Sequence, residues 1–279
     1  MIKIVRLNML HRFSERLSAN ELRRGDAGMK PSLIAAHNSE MPDSPGCQTY
    51  FDEMSESWEL HYAPNGSMVW RLTRILEPVK TWVPAGGRLL DFGCGAGDIS
   101  AQCAAAGYNV DGIDMSPKMI ERARSRFKSR SIEFNACADT LHLPFADGTF
   151  DAIVASSVLE YVVPLRAQLE ELRRVCKDGG RAVFTVPNVA HPLRWLEAFE
   201  RLFFVPIRGL LPRAIRKRED YIAISINRFS ECAWNERLGV AGWKVLATAQ
   251  KNKPLFLMVL ERDSSRESNA ADFRENSRN

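Results

Sequence analysis

A glycine-rich turn with two flanking aspartates is the feature of this sequence that could support chemistry. The stretch Leu89–Asp98 reads LLDFGCGAGD, with glycines at Gly93, Gly95 and Gly97. Glycine lets the backbone bend sharply and lets a ligand approach it closely. A turn of this kind before a helix presents free N–H groups to a polar ligand. Asp114 follows about 20 residues later, where a carboxylate can accept hydrogen bonds from a ribose diol. The spacing therefore predicts a nucleoside site.

The residues around the glycines indicate which nucleoside is favoured. A dinucleotide fingerprint has the form G-x-G-x-x-G, and its third glycine would fall at Asp98. The pattern here is G-x-G-x-G, and Asp91 lies two residues before its first glycine. A negative charge there repels a pyrophosphate but attracts a ligand that carries an ammonium and a sulfonium. The residues favour S-adenosylmethionine over NAD, so an NAD(P)-dependent oxidoreductase is the disfavoured reading.

A sheet and its covering helices must position this turn, and the hydrophobic pattern predicts both. Short apolar runs alternate with helical patterns, which indicates a mostly parallel sheet with helices on both faces. The last two strands are separated only by residues 250–253, and so short a connection joins antiparallel neighbours. The predicted strands are Arg88–Phe92, Asn109–Asp114, Ser131–Asn135, Phe150–Ala155, Ala182–Val186, Trp243–Ala249 and Pro254–Glu261. The predicted helices among them are Asp98–Ala106, Pro117–Lys128, Leu165–Cys176 and Ser230–Val240.

The flanks of this alternating region differ from it in composition. Two helices are predicted before the turn, at Tyr50–Tyr62 and Ser67–Val83. Residues 1–46 are predicted to be a flexible extension; a basic amphipathic helix on a membrane or a partner is the alternative. Residues 262–279 are polar and are predicted to be disordered. The domain itself is predicted to span residues 47–261.

Composition excludes several classes of protein. The chain has 279 residues, 45% of them hydrophobic, and a formal net charge of +4. No run of about 18 apolar residues predicts a spanning helix, and the charge is too small to indicate nucleic acid. The six cysteines form no Cys-x-x-Cys pair, which favours reduced core residues over disulfides or a metal site. We therefore predict no metal and a cytoplasmic location.

The sequence resembles the class I S-adenosylmethionine-dependent methyltransferases, in particular the small-molecule branch of ubiquinone and menaquinone biosynthesis. The resemblance covers residues 50–261 and implies a Rossmann-like, seven-stranded, mostly parallel sheet with an antiparallel last strand. It also implies N-terminal helices and a helical lid inserted at residues 189–228. The blocks that carry it, in chain order, are Leu90–Gly97, Val110–Ile120, Ala138–Phe145 with Gly148–Asp151, Leu172–Gly180 and Asn227–Ser230.

The resemblance implies that the glycine-rich turn binds the methionine end of the cofactor. Asp91 and the backbone at Gly93 and Gly95 would hold that end, and Gly97 completes the turn. Two residues at the end of the fourth strand would line the methionine pocket, Ala155 and Ser156.

The nucleoside end of the cofactor is assigned in the same way. Asp114 would bind the ribose hydroxyls, and Met115 would lie against the adenine. Asp139 would accept a hydrogen bond from the adenine amino group, with Thr140 beside it. The alternatives are that Asp139 caps a turn and that Met115 belongs to the core.

The acceptor side offers few candidates for a catalytic base. Methyl transfer from a sulfonium is a displacement, and the protein accelerates it mainly by aligning the acceptor with the methyl group. A base contributes when the acceptor must lose a proton. We rank His191 first, because it follows the fifth strand, and Tyr161 second. Tyr161 stands where many relatives carry a histidine. His142 and His61 are the other histidines considered.

The predicted lid suggests what kind of acceptor fits. Residues 191–220 read HPLRWLEAFERLFFVPIRGLLPRAIRKRED, a mixture of large apolar and basic residues. An apolar lid favours a hydrophobic or aromatic acceptor. The basic residues could hold an anionic group or contact a membrane surface, or they could form an ordinary solvated face. The residues predicted to contact the acceptor are Trp58, Tyr62 and Phe203.

These observations predict an S-adenosylmethionine-dependent methyltransferase that acts on a small hydrophobic or aromatic molecule, with O-methylation as the first choice. N- or C-methylation of a lipid-like quinone precursor or a saccharide stays open, as does a non-catalytic nucleoside-binding protein. A nucleic-acid methyltransferase loses support, because residues 155–158 read ASSV and lack the Asn/Asp-Pro-Pro-aromatic motif. The predicted partner is a small-molecule acceptor, not nucleic acid, with peripheral membrane contact through the lid or the N-terminus. The oligomeric state is left open.

Overall fold

The computed structural model describes residues 46–210 and 213–264. The predicted N-terminal extension, except for residue 46, and most of the predicted tail lie outside these residues. The helices are α1 (Cys47–Met54), α2 (Trp70–Trp82), α3 (Asp98–Ala105), α4 (Pro117–Arg126), α5 (Leu165–Val175), α6 (Pro192–Phe203), α7 (Arg213–Ile224) and α8 (Glu231–Val240). The 3₁₀ helices are Ser55–His61 and Val205–Leu210. The strands are β1 (Arg88–Phe92), β2 (Asn109–Asp114), β3 (Ile132–Ala136), β4 (Phe150–Ser156), β5 (Cys176–Pro187), β6 (Trp243–Ala249) and β7 (Leu255–Arg262).

The strands form one sheet in the order β3-β2-β1-β4-β5-β7-β6. All neighbouring pairs from β3 to β5 are parallel, and β7 runs antiparallel to both β5 and β6. The predicted Rossmann-like sheet with an antiparallel last strand is confirmed. The chain order reverses at β1, which has β2 on one side and β4 on the other. Ligands of open α/β sheets bind at the carboxyl ends of the strands at such a point, and the glycine-rich turn follows β1.

Both faces of the sheet are buried, which is why its central strands are apolar throughout. On one face Ile153 and Phe184 belong to a cluster that includes residues of α5 and α8. On the other face Val154 and Val183 belong to a cluster with residues of α2 and α3. These four strand residues are at most 2% exposed. No helix among the described residues is long and apolar enough to cross a bilayer.

The first predicted helix, Tyr50–Tyr62, is divided in the structure. α1 ends at Met54 and a 3₁₀ helix continues over Ser55–His61. The hydroxyl of Ser55 donates to the backbone oxygen of Asp52 at 2.8 Å. Serine side chains that bond back to the preceding turn bend helices. This bend brings the 3₁₀ helix toward the glycine-rich turn, where Trp58 lies against Gly95.

Gly97 is expected to be the least replaceable glycine of the turn for stability. Its φ is +84°, and an added Cβ would lie 2.6 Å from Cζ of Phe134 and 3.1 Å from Cβ of Ala123. Strain of this kind and overpacking together should lower the free energy of unfolding of Gly97→Ala by about 2–4 kcal/mol. Urea unfolding measures this change. The control is Gly239→Ala, since an added Cβ at Gly239 meets nothing within 4 Å; equal stability of the two variants would contradict the assignment.

Candidate active site

A cavity of about 1420 Å³ opens at the carboxyl ends of the central strands. Its inner end is lined by the glycine-rich turn through Gly93 and Gly95, and by Asp114 at the end of β2. Its outer end is lined by Arg194 of α6 and Tyr221 of α7. Typical small-molecule pockets measure about 300–1,000 Å³, so this cavity has room for two ligands side by side.

The glycine-rich turn lines the cavity through Gly93 and Gly95, which together are called the glycine cradle. Gly93 and Gly95 have φ values of +71° and +54°. An added Cβ at Gly93 would lie 2.6 Å from Cγ2 of Val158, and one at Gly95 would lie 3.0 Å from Nε1 of Trp58. A side chain at either position would therefore collide with Val158 or Trp58, which pack against the glycines. Gly97 does not line the cavity and serves instead the close contact with Phe134.

Asp114 joins the ends of β1 and β2 at the cavity wall. Its Oδ2 accepts a hydrogen bond from the backbone N–H of Gly95 at 2.9 Å, and its Oδ1 accepts one from that of Ser116 at 2.9 Å. Burial raises the pKa of the Asp114 carboxyl to about 6. A carboxylate has about four acceptor positions, so capacity remains for the hydroxyls of a ligand. Met115 also lines the cavity at this end, and its contact with adenine stays a prediction.

Asp91 lies behind the turn rather than in the cavity. It is 2% exposed and does not line the cavity. Its Oδ2 accepts a hydrogen bond from the hydroxyl of Ser100 at 2.5 Å. Burial raises the pKa of the Asp91 carboxyl to about 7. Its charge can therefore act on a cationic ligand through space but not by direct contact in this conformation.

The raised pKa of Asp91 predicts a pH-dependent stability for the unliganded protein. The unfolded chain releases this proton near pH 4, whereas the folded chain keeps it until about pH 7, so folding loses stability as pH rises between these values. Asp91→Asn should flatten that slope and raise the free energy of unfolding at pH 8 by about 1–3 kcal/mol. Urea unfolding at pH 5 and pH 8 tests this.

Asp151 supplies a control, because its expected effect on the pH dependence of stability has the opposite sign. Its carboxylate accepts hydrogen bonds from Lys177 Nζ at 2.6 Å and from the backbone N–H of Arg88 at 2.9 Å. Its pKa lies below the usual value because these bonds outweigh its desolvation. Asp151→Asn should lose stability most at neutral pH and least in acid. An Asp91→Asn variant that behaves like Asp151→Asn would refute the burial argument.

The residues predicted to lie beside adenine divide between the cavity and the surface. Asp139 is exposed and does not line the cavity. Its carboxylate accepts hydrogen bonds from the backbone N–H of Leu141 at 3.1 Å and from Nδ1 of His142 at 3.0 Å. The bond from His142 holds the pKa of Asp139 below its usual value. The alternative that Asp139 caps a turn describes these contacts, and its bond to adenine stays a prediction. Cys137 and Thr140 line the cavity here.

Ser156, predicted to line the methionine pocket, contacts an arginine that the sequence pattern did not identify. Ala155 is fully buried in β4 and does not line the cavity, whereas Ser156 does. The Ser156 hydroxyl accepts a hydrogen bond from Nη1 of Arg71 at 3.4 Å. Arg71 is 7% exposed and lines the cavity, and its buried Nε has no hydrogen-bond partner. Among the described residues no carboxylate pairs with it. A buried guanidinium without a counter-ion is costly and fits an anionic ligand group.

A sequence signal for Arg71 was present. On α2 the positions Arg71, Ile75 and Val79 follow each other at four-residue spacing and are all buried. An arginine in the buried row of an amphipathic helix rarely lacks a partner. Tyr62, one of the predicted acceptor contacts, lies beside Arg71 behind the cavity wall, and burial raises its pKa to about 12.

The two predicted catalytic residues occupy different environments. Tyr161 lines the cavity, and burial raises the pKa of its phenol well above the usual value. His191 precedes α6, and its Nδ1 accepts a hydrogen bond from the backbone N–H of Leu193 at 3.2 Å. His191 does not line the cavity. The structure therefore does not bring His191 and Tyr161 together, and a catalytic role for His191 stays a prediction.

Glu160 and Tyr221 are cavity residues that the sequence left unassigned. Glu160 is 1% exposed, and its Oε2 accepts hydrogen bonds from the hydroxyl of Ser225 and from that of Tyr221, the latter at 3.4 Å. No arginine or lysine among the described residues forms an ion pair with Glu160. The sequence alone could not predict the contact between Tyr221 and Glu160, because the two residues are 61 positions apart.

The predicted acceptor contacts divide between the cavity and the surface. Trp58 lines the cavity. Phe203 is 53% exposed on the outer side of α6, where its ring lies 4.5 Å from that of Phe199. The prediction that Phe203 contacts the acceptor does not agree with this position. The physical reason is that α6 turns its charged side inward, where its Glu197 pairs with Arg228.

Comparisons with known proteins agree with this geometry. Residues 90–184 match the family model described as a methyltransferase domain. The demethylmenaquinone methyltransferase of Clavibacter sepedonicus is 36% identical over 60% of this chain and 64% of its own length. The ubiquinone/menaquinone biosynthesis C-methyltransferase UbiE of Desulfotalea psychrophila is 30% identical over 66% of this chain and 76% of its own length. The chain thus spans somewhat less than two thirds of the Clavibacter enzyme.

A solved structure shows the same fold at low identity. Magnesium protoporphyrin IX methyltransferase from Synechocystis, determined with bound SAH, superimposes with a TM-score of 0.57 at 18% identity, over 77% of this chain and 98% of its own. The residues of the cavity fit S-adenosylmethionine, since it is lined by Asp114, which keeps free acceptor positions, and by Arg71, a buried guanidinium with no carboxylate partner among the described residues. Together with the relatives above, these observations show that the chain belongs to the class I S-adenosylmethionine-dependent methyltransferases.

Proposed function

We propose that this chain methylates a small, hydroxylated aromatic acceptor of the quinol type. The observation that carries the proposal is the continuity of the cavity, which runs from the glycine cradle to a chamber walled by aromatic rings. Quinone-type acceptors appear in the names of the relatives from Clavibacter and Desulfotalea. The rings that wall the chamber are Phe51, Trp58, Tyr161 and Tyr221.

The inner end of the cavity would hold the methyl donor. S-adenosylmethionine, when bound, supplies a methyl group already activated on a sulfonium. We infer that Asp114 accepts hydrogen bonds from the ribose hydroxyls and that Arg71 pairs with the methionine carboxylate. Ser156 would keep the Arg71 guanidinium in place through the contact already present. Val158 and Trp58 pack against Gly93 and Gly95 on this side.

Asp114→Ala is expected to weaken adenosyl binding by at least about tenfold, the loss of charge-assisted hydrogen bonds. Calorimetric titration with S-adenosylhomocysteine measures this. Dideoxyadenosine lacks both ribose hydroxyls, so its weaker affinity should not change in the variant. Equal losses for both ligands would show that Asp114 merely supports the turn through Gly95, and not the ribose.

At the outer end the residues would orient the acceptor and remove its proton. With its raised pKa, Tyr161 stays a phenol at neutral pH, so it would donate a hydrogen bond to an acceptor oxygen rather than take a proton. Glu77 pairs with Arg74, and Glu197 pairs with Arg194 and Arg228. Glu160 has no such partner among the described residues, and we infer that it accepts the proton.

Product analysis tests the reaction and its acceptor atom. We expect transfer of a deuterated methyl group from S-adenosylmethionine to a demethylated quinol, with nuclear magnetic resonance placing the methyl on a ring carbon. Carbon is our first choice, because the Desulfotalea relative is named a C-methyltransferase; a methoxy product would instead support the sequence-based prediction of O-methylation. Binding of the donor with no transfer to any quinol would contradict the proposal and favour a non-catalytic nucleoside-binding protein.

A further inference from the structure

Helix α6 has its polar and apolar sides reversed relative to an ordinary surface helix. Its buried side carries Arg194, Glu197 and Glu200, which are 5%, 4% and 1% exposed. Surface helices of globular proteins normally place apolar residues inward and charged residues outward. The outer side of α6 instead carries large apolar residues at three- and four-residue spacing, and the row continues into the next 3₁₀ helix. These exposed residues are Trp195, Phe199, Leu202, Phe203, Ile207 and Leu210.

Ion pairs beneath the helix hold it in this orientation. Oε2 of Glu197 lies 2.7 Å from Nη1 of Arg194 and 2.8 Å from Nη1 of Arg228. Oε2 of Glu200 lies 2.8 Å from Nε of Arg218. Rotating the helix to bury its apolar row would break these pairs and leave buried charges unpaired, which is strongly unfavourable. The exposed apolar row is therefore a fixed feature of the fold.

The exposed charges of the segment that contains this row are positive. Across residues 191–220, the glutamates Glu197, Glu200 and Glu219 are all buried, and Asp220 is half-buried beside Arg216 and Lys217. Among the described side chains of that segment, those both charged and exposed are Arg216, Lys217 and Arg218. A surface that combines a protruding apolar row with cations matches the interface of an anionic bilayer, where apolar side chains enter the acyl region and cations contact headgroups.

The apolar row is continuous with the mouth of the cavity. Leu193, on the same helix, is 41% exposed and lines the cavity. Nε of Arg194 donates to the backbone oxygen of Pro254 at 3.3 Å, which ties the start of α6 to the β6–β7 hairpin. Lys251 and Lys253 of that hairpin are exposed and also line the cavity. A bilayer beneath α6 would thus meet the entrance through which an apolar molecule could pass.

We propose that α6 and the 3₁₀ helix Val205–Leu210 lie in the surface of an anionic lipid bilayer. Trp195, Phe199 and Leu202 enter the acyl boundary, and the neighbouring cations contact the headgroups. A second copy of this chain is less suited to cover the apolar row. A two-fold interface brings the same surface of both copies together, so their cations would repel each other. The inference goes beyond the proposed function and does not depend on it, since vesicle binding is measured without an acceptor.

Flotation of the full chain with vesicles tests the proposal. We expect binding to vesicles of equal parts phosphatidylglycerol and phosphatidylcholine, weaker binding to phosphatidylcholine alone, and loss of binding at high salt. Leu202→Asp should need at least about tenfold more lipid for half-maximal binding, the ratio that corresponds to one buried leucine. Leu60→Asp is the matched control, because Leu60 is 65% exposed and Leu202 is 69% exposed.

Further variants separate the apolar contribution to vesicle binding from the electrostatic one. Trp195→Ser should lose binding, whereas Trp82→Ser should not, although Trp82 is also half exposed. Replacing Arg216 and Lys217 with glutamate should abolish the preference for anionic vesicles. Thermal unfolding of each variant should match the wild-type protein, because these side chains leave the core intact.

Several results would overturn the proposal. One is equal vesicle binding by Leu202→Asp and the wild-type protein, which would place the contact elsewhere in the chain. Another is absence of wild-type binding to every vesicle. A third is a dimer in sedimentation velocity that Leu202→Asp dissociates, combined with no lipid binding, which would assign the row to self-association.

Discussion

Replacing Arg71 with methionine is expected to weaken binding of S-adenosylhomocysteine by about 100-fold, near 2.7 kcal/mol. The guanidinium is buried in the cavity wall, its Nε lacks a hydrogen-bond partner, and its Nη1 donates to the Ser156 hydroxyl. A charge-assisted hydrogen bond between this buried guanidinium and a ligand carboxylate is strong, because little water competes for either group. Methionine keeps most of the volume of the side chain but removes the charge.

The ligand rather than the protein provides the sharper control for this experiment. Methylthioadenosine has no amino-acid carboxylate, so its affinity should not change in Arg71→Met. Removing a buried charge that lacks a counter-ion should also leave the unliganded protein at least as stable as before. A variant that loses affinity for both ligands equally, or that unfolds, would show that Arg71 supports the fold of α2 and not the donor. Arg71→Lys should recover part of the affinity, because it restores the charge but not the fork of donors.

Glu160→Gln is expected to lower the turnover number by about 100-fold or more, the usual contribution of a positioned base. Glu160 is buried at the cavity wall, where the Tyr221 hydroxyl donates to it. Glutamine keeps the shape and one acceptor oxygen but cannot take a proton. The KM for the acceptor and the affinity for S-adenosylhomocysteine should change little, since neither binding step requires the proton transfer.

Two further variants decide between Glu160 and the candidates from sequence. Tyr161→Phe should raise the KM of the acceptor more than it lowers turnover, because it removes an orienting donor. His191→Asn keeps a side chain able to cap α6 and removes the imidazole, so turnover at the wild-type level would eliminate His191 as a base. Wild-type turnover in Glu160→Gln, together with a large loss in His191→Asn, would restore the sequence-based order.

The two ends of the cavity predict separable phenotypes. Variants at Arg71 and Asp114 should act through the donor, and their effects should diminish at saturating S-adenosylmethionine. The effect of Glu160 variants on the turnover number should persist at saturating S-adenosylmethionine. Variants on the outer row of α6 should leave both parameters unchanged for a water-soluble acceptor, because that row lies on the opposite side of the helix from Glu197.

The local pattern of the chain was enough to predict the sheet and the position of the glycine-rich turn at its edge. β1, β2 and β6 have the predicted bounds, because alternation of apolar runs with turn residues is a property of neighbouring positions. Gly93, Gly95 and Asp114 could be placed for the same reason. The ends of consecutive parallel strands must meet at one edge of the sheet, so their side chains converge without further information.

The direction of individual side chains could not be obtained in this way. Phe203 was expected in the cavity and lies on the surface, while Arg71 was overlooked and lies in the cavity wall. Both outcomes depend on how a helix is rotated about its axis. For α6 that rotation is set by partners distant along the chain, such as Arg228 with Glu197 and Pro254 with Arg194. Sequence spacing specifies which residues share a helix face, but only tertiary contacts decide whether that face turns toward the protein or away from it.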